Sequence, residues 1–295
     1  MINTARNKEN NSGTELRPKK IIKCKIHLKT VWQEIFSLTK RYCIQCQRRP
    51  SGLLSGVLQP LLWLILFGAL FQNAPVSLLT ENRTYYQFIS PGIIVFSSFT
   101  GAMNSGLPIM FDREFGFLNR LLVAPLRSRD SLLISSIIYI LIITTLQTAI
   151  IMTSSFLISK NTLSIFNTVT ILTIISLITL AIGSISICLV FILPGHIEFL
   201  AIMLVANLPT LFSSTALAPL SFMPYWLQAV ASINPLTYAI ESIRCLYINS
   251  HLELQGNILK STSLSLNVRE SIYLLSIVAI ICFIIVKNII SYKCD

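Results

Sequence analysis

Charge is what this chain most lacks. Only 12% of its 295 residues are Asp, Glu, Lys or Arg, while 53% are hydrophobic. That charged share is about half the usual one for a soluble domain, so the composition indicates an integral membrane protein. Histidine is scarce as well: His27, His196 and His251 stand in separate regions and form no metal-ligand cluster. The seven cysteines are odd in number and mostly lie in or beside apolar runs, which is no disulfide framework. Cys43 and Cys46 make a single C-x-x-C without a second pair, and small apolar residues on one helix face account for it. There is no G-x-x-x-x-G-K-[ST], so the chain should not cradle a nucleotide itself. No serine has the context of an activated nucleophile, and the apolar runs hold no carboxylate of the kind a proton-coupled pump uses. A membrane enzyme and a proton-driven carrier are therefore poorly supported. Residues 1–23 carry no apolar stretch of a cleavable signal peptide, and Asn82-Arg83-Thr84 is a weak match to a glycosylation sequon.

The charge that is present is unevenly placed. The net charge is +11, and residues 1–50 hold twelve of the 23 Lys and Arg with three acids. No nucleic-acid recognition motif accompanies this basic region, and anionic lipid headgroups are the simpler partner. Residues 1–27 read as a mobile basic tail. Over 28–50, Leu28, Val31, Trp32, Ile35, Leu38, Tyr42 and Cys43 recur at helical spacing, predicting an amphipathic helix in the headgroup layer.

A spanning helix needs about 20 mostly apolar residues, and a charge at mid-bilayer costs roughly 2.5–3.5 kcal/mol. Six segments meet both conditions: about 53–73, 88–110, 131–158, 164–193, 197–218 and 271–290. The expected fold is thus all-α, a polytopic membrane protein with six transmembrane helices between 51 and 290. Six spans put both termini on one side. That side holds eighteen Lys and Arg, including four in the loop 111–130, against five on the other. The positive-inside rule places the termini and that loop on the cytoplasmic or equivalent face.

On the opposite face, 219–247 is too polar to cross and too apolar for a free loop. The pattern predicts a short helix near Trp226, a stop at Asn234-Pro235, and a second helix in which Glu241 and Arg244 stand three apart and can pair. Pro224 precedes the first helix. Inside the spans, Gln59, Asn104, Asn207 and Ser213 are polar; interhelical hydrogen bonding or the lining of a translocation path would employ them. Between spans two and three lies "DREFGFLNRLLVAPLRSRD", Asp112–Asp130. Its composition predicts a surface helix over 112–122, with Asp112 as cap and Glu114 in the first turn. Aromatic and arginine residues such as those flanking it are favoured at interface cores.

Three stretches carry a resemblance. "DREFGFLNRLLVAPLRSRDSLL", "RRPSGLLSGVLQPLLWLILFGALF" (Arg48–Phe71) and "PLSFMPYWLQAVASINPLTYAIESIR" (Pro219–Arg244) resemble, in order, segments of the ABC-2 type transport permeases. The resemblance covers about residues 28–290. It implies a type V exporter-like fold, a homodimer of the permease and an ABC ATPase subunit on the cytoplasmic face. ATP and Mg would be bound by that partner, with no cofactor on this chain. Asp112, Arg113, Glu114, Phe115, Phe117, Asn119 and Arg120 would form the coupling helix that seats in the ATPase. The segment 28–49 would be the connecting helix, and 219–247 the outer re-entrant hairpin. Spans one, two and five would face the dimer axis. The function implied is the membrane subunit of an ATP-driven exporter; the alternative is a non-transporting scaffold or assembly factor with the same fold. The Asn/Ile/Lys-rich composition fits an AT-rich genome. The resemblance is to plastid-encoded members, which implies a plastid membrane with stromal termini, the alternative being a bacterial inner membrane.

Overall fold

The computed structural model describes residues 28–48, 50–71, 85–117, 120, 130–159, 164–248 and 267–294. The basic tail, the glycosylation sequon, Asn119 and most of the loop before residue 267 lie outside these. The described elements are helical, as the hydropathy pattern predicts. They are α1 (Leu28–Arg48), α2 (Pro50–Leu70), α3 (Tyr85–Asn104), α4 (Leu107–Glu114), α5 (Asp130–Ser159) and α6 (Ile165–Ile192). There follow α7 (His196–Phe212), a 3-10 turn at Leu220–Phe222, α8 (Tyr225–Ile233), α9 (Pro235–Ile248) and α10 (Val268–Cys294).

Five helices are long and apolar enough to cross a membrane. The sixth of the sequence segments, α7, is shorter, with 17 residues and a length of about 25 Å. It ends at Phe212 rather than at 218, because Pro209 lies in its last turn and the chain leaves the helix through a turn at Ser213–Ala216. The first span begins earlier than expected, at Pro50, whose fixed φ and missing N–H suit the first helical position.

α3 is the core of the bundle. Every residue from Phe88 to Met103 is buried, because α2, α5, α6, α7 and α9 all pack against it. Small polar groups join these helices where water is absent. Ser98 on α3 and Thr144 on α5 both reach Thr179 on α6, at 2.9 and 3.5 Å. Gly92 allows backbone to meet backbone: a Cβ there would lie 2.5 Å from the Ala216 carbonyl oxygen. By contrast α2, α7 and α10 present exposed apolar surface, including Leu66, Leu204, Val205 and Ile281. Spans one and five are therefore open to a neighbour or to lipid, whereas span two is enclosed within the single chain.

The expected surface helix 112–122 needs correction. Asp112 does not start a helix; it sits within α4, whose N-cap is Gly106. The helix of span two kinks at Ser105–Gly106 and resumes with Pro108 in its first turn. At the kink the Ser186 hydroxyl donates to the Met103 carbonyl at 2.8 Å, which occupies an acceptor the kink frees. α4 then ends where Gly116 adopts φ +73°, with the Gly116 amide donating to the Arg113 carbonyl at 3.2 Å. Glycine takes this left-handed conformation without a Cβ penalty, the usual way to stop a helix. Helical backbone begins again only beyond it, with the Arg120 amide donating to the Gly116 carbonyl at 3.3 Å.

Candidate functional site

Residues distant in sequence meet where α1, α4 and the turn between α6 and α7 converge. Arg41 on α1 forms a two-pronged ion pair with Asp112 on α4, at 2.8 and 2.7 Å. Asp112 is buried, and the Arg41 guanidinium also lies 3.7 Å from the centroid of the Phe117 ring. A planar guanidinium suits both a carboxylate fork and an aromatic face. Tyr42 is packed beside this pair. Burial first, and the Asp112 carboxylate second, push its phenol above the ordinary value.

The next two residues of α4 reach the other way. Arg113 donates to the Leu193 carbonyl at 2.6 Å and also to that of Val190. These carbonyls lie at the C-terminus of α6, where the helix leaves unpaired acceptors and partial negative charge. Glu114 meets Nδ1 of His196 at 2.7 Å, and Phe111 lies between Phe115 and the His196 ring. Three consecutive charged side chains thus fasten the end of span two to the amphipathic helix and to the turn between spans four and five. Phe115 is left 76% exposed beside them, and Trp32 and Phe36 are exposed on α1. Among the described residues no group of three His, Cys, Asp or Glu could hold a metal. The arrangement provides a rigid charged and aromatic surface rather than acid–base chemistry.

At the opposite end of the bundle the hairpin residues also come together. Asn234 accepts from the Leu236 amide at 3.0 Å and so caps α9. Its amide group donates to the Ser213 carbonyl and hydroxyl, both at 3.2 Å. Pro235 follows at the first helical position, as the Asn-Pro stop predicts. Pro224 sits at the N-cap of α8, and Trp226 is exposed on it. Glu241 and Arg244 pair as their spacing predicts. Arg244 in addition donates to the Thr215 carbonyl at 2.7 Å and stacks 3.9 Å from the Phe88 centroid. Of the polar span residues, Gln59 and Asn104 are exposed, Asn207 is half-buried, and Ser213 is taken up by Asn234.

The family model for the ABC-2 type transporter matches residues 33–248. This chain belongs to the ABC-2 type transporter family. Curated relatives described as "Putative transport permease ycf38" are similar over nearly the whole length. The one from Porphyra purpurea is 49% identical over 91% of this chain and 92% of its own. Those from Pyropia yezoensis and Cyanophora paradoxa are 48% and 47% identical, over 96% and 88% of this chain and 98% and 89% of theirs. The chain is accordingly a multi-pass membrane protein carrying the permease domain of a transporter.

Arg41 and His196 did not stand out from the sequence as site residues. Each is an ordinary polar residue on its own element, and its partner lies 71 or 82 positions away. Arg120 is exposed just beyond Gly116.

Proposed function

We propose that the chain is the permease subunit of an ABC exporter, acting as a homodimer with separate ATPase subunits that bind ATP and Mg. Its place would be a plastid membrane, with the termini and the α4 end on the stromal side; the Lys/Arg asymmetry and the ycf38 relatives support that reading. The observation that carries the proposal is the surface built on Arg41, Asp112, Arg113 and Glu114. A motor that docks on it would touch the amphipathic helix, the end of span two and the turn between spans four and five together. ATP binding drives transport only if the partner contacts differ between two states of the permease, and a surface joined to three elements can transmit such a difference. The exposed apolar faces of α2 and α7 are the surfaces for the second copy.

Mild-detergent purification of tagged chain from its native membrane tests this. A stoichiometric P-loop protein should accompany it, and Phe115→Ala should weaken that association while membrane insertion stays unchanged. A dimer free of any ATPase, under conditions that preserve a known ABC complex, refutes the proposal in favour of a scaffold.

A further inference from the structure

Just inside the α1 end of the bundle, a cavity of about 300 Å³ opens between α1, α2, α3 and α5. That is the lower end of the range for small-molecule sites. Its mouth is formed by exposed Ser51, Gly52 and Ser55 at the start of α2, and its inner wall by buried Gly101, Tyr139 and Gln147. Gln147 is 4% exposed on a helix otherwise rich in Ile and Leu. Its carboxamide is threaded between two spans: a Cβ on Gly56 would lie 2.5 Å from Nε2, and one on Gly101 would lie 2.6 Å from Oε1. Two glycines thus leave room for one polar group. The Gln147 Oε1 nevertheless has no hydrogen-bond partner, and neither does the buried Oε1 of Gln45, which lines the same cavity from α1. Buried acceptors without partners are costly and uncommon in native interiors.

The chemistry of the lining restricts what could satisfy them. The lining residues include no Asp, Glu, Lys, Arg or His, so a charged ligand would enter without a counter-charge. The two carboxamide oxygens ask for donors. The rest of the wall, including Leu53, Leu107, Phe111 and Ile143, is apolar. The cavity is set at the level where the amphipathic helix α1 passes into the first span.

We infer that this cavity is a binding site for an uncharged amphiphile, whose hydroxylated headgroup donates to Gln45 and Gln147 and whose chain leaves past the start of α2. A free polyol shares the headgroup chemistry, and the experiment separates the two. The site requires neither ATP nor an ATPase, so it stands or falls apart from the transport reading.

The test uses the full chain in phosphatidylcholine nanodiscs containing a glucosyl diacylglycerol with a photoreactive diazirine in its acyl chain. Labelling is mapped by peptide mass. The expected result is label on peptides of α2 and α5 lining the cavity, competed by unlabelled glucosyl diacylglycerol but not by phosphatidylglycerol or methyl glucoside. Gln147→Leu and Gln45→Leu should each reduce it by between about two- and tenfold, the effect of one neutral hydrogen bond. Gln45 is only half-buried, so its variant remains informative if Gln147→Leu fails to fold by size-exclusion chromatography. Equal labelling in folded variants overturns the site. Equal competition by phosphatidylglycerol overturns the uncharged headgroup, and equal competition by methyl glucoside overturns the amphiphile.

Discussion

Removing the Asp112 carboxylate should loosen α1 by a calculable amount. Asp112→Ala deletes two charge-assisted hydrogen bonds of 2.8 and 2.7 Å to Arg41. Breaking a fully buried ion pair from one side costs about 3–5 kcal/mol. Here the Arg41 side chain is 32% exposed, so water can recover part of its solvation. It also keeps its contact with Phe117. A loss of about 2 kcal/mol is therefore expected, near the lower end for hydrogen bonds to charged groups. At 1.4 kcal/mol for each factor of ten, local opening of α1 becomes roughly thirtyfold more frequent. Hydrogen exchange of the Lys40–Cys43 amides in nanodiscs reads this directly. Phe117→Leu removes only the cation–π term, about 0.5–1 kcal/mol, and should raise exchange about two- to fivefold. The double variant Arg41→Leu with Asp112→Leu leaves no unpaired charge and should be milder than the sum of the single changes. Exchange within threefold of the parent in Asp112→Ala, or a fully additive double variant, would refute the reasoning.

Four further outcomes are expected. Gly92→Ala should lower the unfolding temperature in detergent by several degrees, because its Cβ would meet Ala216 backbone. Gly52→Ala, where nothing lies within 4 Å, should leave the temperature unchanged or raise it, helix propensity gaining up to about 1 kcal/mol. Asn234→Ala should cost about 1–2 kcal/mol for the lost cap of α9; a thermal unfolding midpoint equal to the parent's would count against that role. Arg244→Met should destabilise more than Arg244→Met combined with Glu241→Leu, since the single change strands the Glu241 carboxylate, and the two thermal midpoints decide it. Burial, with Cys46 beside it, pushes the Cys43 thiol above its ordinary value. The fold therefore holds that proton to higher pH than the unfolded chain does. Its stabilising effect is full below the ordinary thiol value and is lost as pH rises through the raised one. Alkylation of Cys43 at pH 9 should lag behind that of a free thiol, and equal rates would exclude the shift.

The sequence by itself determined which segments cross the membrane, because hydrophobicity and helix length are local properties that a bilayer reads directly. It also determined the Asn234-Pro235 stop and the Glu241–Arg244 pair, since caps and three-residue spacings act within one or two turns. The end of the second span was legible only in part. Asp112 and Glu114 carry good helix-start chemistry, yet Pro108 had already started that helix and Gly116 stopped it. The segment 197–218 was apolar throughout, yet its helix stopped at Phe212. What only the tertiary structure decided was which charges meet. Arg41 finds Asp112, Arg113 finds the last carbonyls of α6, and Glu114 finds His196 because helix packing brings three ends of the bundle together. Gln147 has the same explanation: its carboxamide fits only where glycines on two neighbouring helices happen to face it. Periodicity gives the face of a helix, but the partner of that face depends on how all the helices pack at once.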